Sequence, residues 1–355
     1  MRSRLGGAMK GRWLYLMLLC LLAPDAGAQV VKLRVALQGP VTSPFYGVTL
    51  TRLKEEAERR SDGTLSIEII DKGRLFGDGQ MVGAVSSGAV ELGITASQIF
   101  VAQAPSLAFL DLPFLFNFSA LMDAAAQPGS EIRKLIDATI LSEVGVRVLL
   151  WQSVGNTHFY SKGQDVADVA RLKDQRVAVP GKALEELVTR CGGRPTTLPI
   201  NKFAERITEG AVDMALMTLG GNQTLGLWQA QDTLTLTAHA SVEFLLIVND
   251  RTWHSLSPAH RAVMTEAIRI VEPEARARVA TIEAASERFA IDKGFKIVRP
   301  TPDHVAEWRA CTADMVADYM AKNGEQARRL MVAYRKLRMD PCCTAGPGTG
   351  SFTRR

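Results

Sequence analysis

Short β-branched runs and amphipathic helical stretches take turns along this chain, twice over, and that alternation narrows the admissible folds more than any other feature. KLRVAL (32–37) alternates charged and apolar residues as a half-buried strand does, and Gly39-Pro40 ends it. FYGVTLTRLKEEAERRSDG then places Val48, Leu50, Leu53 and Ala57 near helical spacing before an Asp62-Gly63 stop. TLSIEII reads as the next strand, and GQMVGAVSSGAVELGITA repeats the move with a helix from about Gln80 and a strand into Ala96. A second set follows the helical stretch from Ser119 to Gly145. Its strands are VRVLLWQS, RVAV and VDMALMT, and its helices are KALEELVTRCG and INKFAERITEGA. Such alternation predicts an α/β fold with mostly parallel sheets and crossover helices, and 355 residues suffice for two such units.

Two further stretches join the sets. VEFLLIVND is an apolar run suited to returning the chain to the first sheet. After it, a helical pattern opens at Ser257-Pro258 and continues far beyond an average helix, with Pro273 expected to kink it. The predicted molecule is two-lobed, with a cleft between the lobes. Residues 29–153 with about 241–273 make lobe I; residues 154–240 with about 274–340 make lobe II; hinges fall near Gln152–Val154 and His239–Val242. Residues 341–355 lack periodicity and are expected to be disordered. Ligands of open α/β sheets bind beyond the carboxyl ends of strands, so Val179-Pro180-Gly181, a strand end running into a helix, is expected to form a cleft wall.

The first 28 residues belong to neither lobe. MRSRLGGAMKGR is basic, WLYLMLLCLLA is apolar but shorter than the roughly 20 residues of a membrane span, and Ala26-Gly27-Ala28 is a small-residue cleavage pattern. A cleaved signal peptide and a periplasmic mature chain are expected. Four bases (Arg2, Arg4, Lys10, Arg12) and one acid (Asp25) lie there, so the formal net charge of +5 becomes +2 without them. The remaining charges mix both signs and form no stripe, which argues against a nucleic acid or an anionic membrane as partner. Cys191, Cys311, Cys342 and Cys343 follow the signal; export permits a disulfide, and spacing leaves the pairing open.

Catalytic signatures are missing: no GxSxG, HExxH, P-loop or GxGxxG occurs. No enzyme, catalytic residue, cofactor or metal site is therefore predicted. His254 and His260 read as exposed residues on different faces around a helix start. Asp78 in GDG lacks the alternating acids of a calcium loop and reads as a helix cap.

GRLFGDGQMVGAVSSGAVELGITAS, FLDLPFLF (Phe109 to Phe116), LKDQRVAVPG, EGAVDM and FLLIVNDRTWHSLSPAHRAVM resemble, in order and spacing, the periplasmic substrate-binding proteins of TRAP transporters, the DctP family. The resemblance spans about residues 30–340. It implies a two-lobed, periplasmic-binding-protein-like α/β receptor with a long helix bracing both lobes, which closes on a small solute and delivers it to a membrane permease of one small and one large subunit, driven by an ion gradient. Three positions depart from the family pattern. The arginine that forks onto a substrate carboxylate corresponds to Ala178, an orienting amide to Met217, and a further arginine to Asn156. The resemblance further points to the subgroup associated with a tetratricopeptide-repeat (TPR) partner protein. The expected ligand-binding set is Tyr46, Asp78, Trp151, Asn156, Ala178, Met217, Asn222 and Phe244, and the expected solute is neutral or largely apolar. Two alternatives stand beside this reading. One is a carboxylate receptor that recruits Arg176 or Lys182, and the other is a periplasmic ligand-sensing module.

Overall fold

The computed structural model describes residues 30–343; the expected signal peptide lies outside the described residues, as do residues 344–355. Lobe I begins with β1 (Val31–Leu37), α1 (Tyr46–Arg60), β2 (Leu65–Ile70), α2 (Asp78–Ser87) and β3 (Leu92–Ala96). β1 pairs in parallel with β2, from Val31 with Leu65 to Ala36 with Ile70, and with β3 on its other side. Leu33, Val35 and Leu37 of β1 pack on Leu50, Leu53 and Ala57 of α1. Fully burying an aliphatic side chain such as Leu is worth roughly 1.5–3 kcal/mol, so this face, more than intrinsic propensity, holds α1 in place.

Two 3₁₀ turns (Ser97–Ala102 and Pro105–Asp111), α3 (Ser119–Ala126) and α4 (Glu131–Val144) lead into β4 (Val146–Ser161), whose 16 residues run from one lobe to the other. Lobe II contains β5 (Arg176–Val179), α5 (Lys182–Arg190), β6 (Arg194–Thr197), α6 (Phe203–Thr208), β7 (Met214–Thr218), α7 (Leu219–Thr224) and β8 (Thr233–Thr235). β9 (Ser241–Asn249) returns to lobe I, followed by α8 (Asp250–Ser255), α9 (Pro258–Asp292), β10 (Lys296–Val298), α10 (Pro302–Cys311) and α11 (Asp314–Arg338).

The strand order is β2-β1-β3-β9-β4-β7-β5-β6, with β8 joining β4 to β10. Pairing is parallel within each set and antiparallel wherever β4 or β9 takes part. The sheet is thus mixed. Strands that carry the chain straight out and straight back, with no crossover helix between neighbours, must oppose one another. The β4–β9 ladder slips between Ser153 and Asn156. There Gly155 holds φ +92°, and a Cβ on it would collide with the Glu283 carboxylate, so both geometry and space require glycine at the lobe junction.

Helix α9 starts as its sequence signals, with Ser257 Oγ accepting from His260 N at 3.1 Å and Pro258 in the first turn. Its first half lies on α1 and its second reaches lobe II, where Ser286 Oγ donates to Gln223 Oε1 at 3.1 Å. The helix runs through Pro273 without interruption for 35 residues. Pro273 and Arg269, whose carbonyl loses its donor, both sit on the exposed face, where water serves instead. Helical geometry breaks in α11 at Gly324 (φ +53°).

Helix α11 corrects the expected lobe boundary. Residues 314–338 pack mainly on lobe I, although Asp318 also pairs with Arg190 of α5: Tyr319 Oη donates to Ser106 O at 2.8 Å and Tyr334 Oη to Leu115 O at 3.0 Å. Phe109 and Phe116, from the FLDLPFLF block, receive the aromatic stripe of α11. α10 stays with lobe II through Trp308 Nε1, which donates to Ala167 O at 3.1 Å, and through a disulfide from Cys311 to Cys191 at the end of α5 (Cα–Cα 5.3 Å). The expected disorder is corrected at Pro341–Cys343, which form a 3₁₀ turn with Cys343 buried.

Candidate functional site

A cavity of about 720 Å³, counting its open mouth, lies between the lobes. Much of its wall comes from strand ends or the residues just past them: Ala96 and Gln98 after β3, Pro180 after β5, Thr218 closing β7. This is where parallel α/β sheets place ligands, because the adjoining helices and loops leave a crevice there. Lobe I adds Ser43, Phe45, Tyr46 and Asp78; lobe II adds Ile200, Met217, Gly220 and Leu225; Val154, Val242 and Phe244 form the floor at the hinge.

Tyr46 stacks on Phe244 with centroids 4.9 Å apart and planes at 27°. Phe45 packs with Val154 and Val279, and its ring approaches Gly220 so closely that a Cβ there would collide with it. The lobes therefore touch at an aromatic-to-glycine contact. Asp78 begins α2, but Gly77 is the cap, and the carboxylate instead accepts from Thr95 Oγ1 at 2.6 Å. With the Gln38 amide oriented to satisfy both groups, its nitrogen lies 3.2 Å from Asp78 Oδ2. Burial pushes the Asp78 carboxyl above its ordinary value, with the Thr95 bond acting the other way, and burial also raises the Tyr46 hydroxyl. No Arg, Lys or His occurs among the described residues lining the cavity.

Of the expected binding set, Tyr46, Asp78, Met217 and Phe244 meet at this cavity. The other four do not. Trp151 is fully buried in lobe I with Nε1 donating to Asp137 at 2.9 Å. Asn156 sits beside the ladder slip with its N–H on Glu283, and its neighbour Thr157 lines the cavity instead. Ala178 is 0% exposed, in the lobe II core with Tyr160, Phe203 and Ala215. Asn222 donates to Gln231 Oε1 at 3.0 Å inside lobe II. The alternative cations are also elsewhere. Arg176 forms a fork onto Asp213 (3.0 and 2.6 Å) on the outer surface, and Lys182, 82% exposed, pairs with Glu185. Phe45, Gln98, Thr157 and Gly220 are lining residues that sequence reasoning missed; only the Pro-Phe-Tyr run before α1 signalled any of them.

Behind the floor, on the opposite face of β9, Glu243 is buried beside Ser153, with one carboxylate oxygen lacking a partner among the described residues. Burial pushes its carboxyl from 4.5 up to about 8, and the charge of Asp123 adds to this while Ser153, Ser241 and Arg276 oppose it. A folded-state value raised this way contributes stability that is full below pH 4.5 and lost as pH rises through about 8. Urea melts are expected to show part of the wild-type stability falling away from pH 5 to 8, and Glu243→Gln to remove that part. An equally steep decline in the variant would assign it to other groups.

Two lobes joined by crossing strands, a bracing helix and an interlobe cavity give the layout of a solute-binding receptor. The chain belongs to bacterial extracellular solute-binding protein family 7, DctP, whose profile matches residues 37–323. This is a family of non-enzymatic solute-binding receptors, and the solved structures that this chain resembles include TRAP periplasmic solute receptors. The Bordetella pertussis receptor DctP7, which binds pyroglutamic acid, superposes with a TM-score of 0.81 at 18% identity, over 86% of this chain and 100% of that one. A Desulfovibrio desulfuricans TRAP receptor with bound sn-glycerol-3-phosphate superposes with a TM-score of 0.81 at 20% identity, over 87% and 98%. The C4-dicarboxylate-binding periplasmic protein DctP of Vibrio cholerae is 20% identical over 267 residues, 74% of this chain and 78% of that protein. At these identities the solved structures establish the fold and leave the ligand to the residues of the cleft.

Proposed function

We propose that this protein is the periplasmic receptor of a TRAP-type transporter for a neutral or amphipathic, largely apolar solute, which it closes upon and hands to the membrane permease. The observation that carries the reading is the lining of the cavity: aromatic and aliphatic residues, hydroxyls, the Gln98 amide, one acid and no base among the described residues. A carboxylate in such a space would remain unpaired, and an unpaired buried charge is costly. Losing the partner of a buried charge pair costs about 2–5 kcal/mol, more than a tenfold loss in Kd. Arg176 does not compensate, because its guanidinium is already committed to Asp213. Closure turns on Gly155 in β4 and on the start of β9, where the expected hinges lie.

Calorimetry on the wild type tests this with C4 dicarboxylates, keto acids, pyroglutamate, glucuronate and uncharged lipophiles of similar size. Micromolar binding of a lipophile with millimolar or weaker binding of the acids is expected. Micromolar binding of a simple carboxylate would overturn the proposal.

A further inference from the structure

We infer that the solute carries a cationic amine head on its apolar body, and that Asp78 receives it. The inference rests on reading the cavity as the solute site and adds the sign of the charge it selects. Asp78 lies on the cavity wall, and its two bonding partners, Thr95 and Gln38, are both neutral. No ion pair involves it among the described residues, whereas Glu68, Glu91, Asp71 and Asp213 each pair with a Lys or Arg. The amino-terminal end of α2 favours a negative charge at this point without cancelling it. A carboxylate offers about four lone-pair sites, so acceptor capacity remains for a ligand. Tyr46, Phe244 and Asp78 all line the cavity, so the acid shares it with the Tyr46–Phe244 stack. An acid beside aromatic faces, in a space shielded from water, is complementary to an ammonium. Met217, Ile200 and Leu225 across the cleft suit an apolar body.

Isothermal titration with 2-phenylethylamine, 2-phenylethanol and phenylacetate, on the wild type and on Asp78→Asn, tests the assignment. The wild type is expected to bind the amine about tenfold or more tighter than the alcohol, and the acid more weakly than either. Asp78→Asn is expected to erase the amine's advantage over the alcohol. Circular dichroism melting establishes that the variant folds; should it not, the wild-type ranking alone decides. An amine no tighter than the alcohol, failure of both to bind at millimolar concentration included, overturns the inference, as does an advantage that survives Asp78→Asn. Phenylacetate as the tightest probe would instead remove the apolar-solute reading beneath it.

Discussion

Glu272→Ala is expected to lower folding stability by about 3–5 kcal/mol, the usual cost of removing one partner from a buried ion pair. Glu272 is 2% exposed, and its Oε1 accepts from Arg133 Nη1 at 2.5 Å and from the Trp151 backbone N–H at 3.0 Å, with Arg276 Nη1 also 3.0 Å away. One carboxylate oxygen therefore ties α4, β4 and α9 together. Alanine would leave Arg133 with only its longer 3.4 Å pair to Asp137, Arg276 without its ion pair to Glu272, and a strand N–H without its acceptor. The effect exceeds that of the exposed pairs, such as Lys32–Glu68, which solvent screens. Urea denaturation of the wild type, Glu272→Ala and Lys32→Ala compares the two cases directly. A loss below about 1 kcal/mol at Glu272 would mean that the bracing helix does not depend on this junction.

Ala178→Arg is the second large effect, with an expected loss of about 3–5 kcal/mol and no gain in carboxylate binding. The methyl group of Ala178 is enclosed by Tyr160, Phe203 and Ala215, and its strand partner in β7 is Ala215. An arginine there would overfill the lobe II core and bury a cation without a partner. Thermal melting and calorimetry with a C4 dicarboxylate provide both readouts. A stable variant that acquires dicarboxylate affinity would show that this position opens onto the cleft.

That contrast shows where sequence reading reaches its limit. Period-two alternation correctly put Arg176 and Ala178 on one face of β5, but which height of that face meets the cleft depends on how the strand is seated. The result is one residue on the outer surface and one in the core. At the hinge, the ladder slip between Ser153 and Asn156 shifts the alternation, so Thr157 takes the place expected of Asn156. Tyr46, Asp78, Met217 and Phe244 line the cavity from the starts of α1 and α2 and from within β7 and β9, elements whose order Gly, Pro and apolar runs marked plainly. The alternating β/α sets, the return through VEFLLIVND and the Ser257-Pro258 helix start were legible for the same reason. The place of α11 was not, since an amphipathic stripe announces that a helix has a partner without naming it. The pairing of Cys191 with Cys311 likewise depends on α5 and α10 meeting in space.

Native mass spectrometry of protein exported to the periplasm and purified without refolding tests the central claim most directly, because a closed receptor retains its solute. The cleft, with Asp78 as the acid on its wall and no base among its described lining residues, calls for a released molecule that carries no carboxylate. A keto acid, sugar acid or dicarboxylate recovered at one equivalent would contradict it.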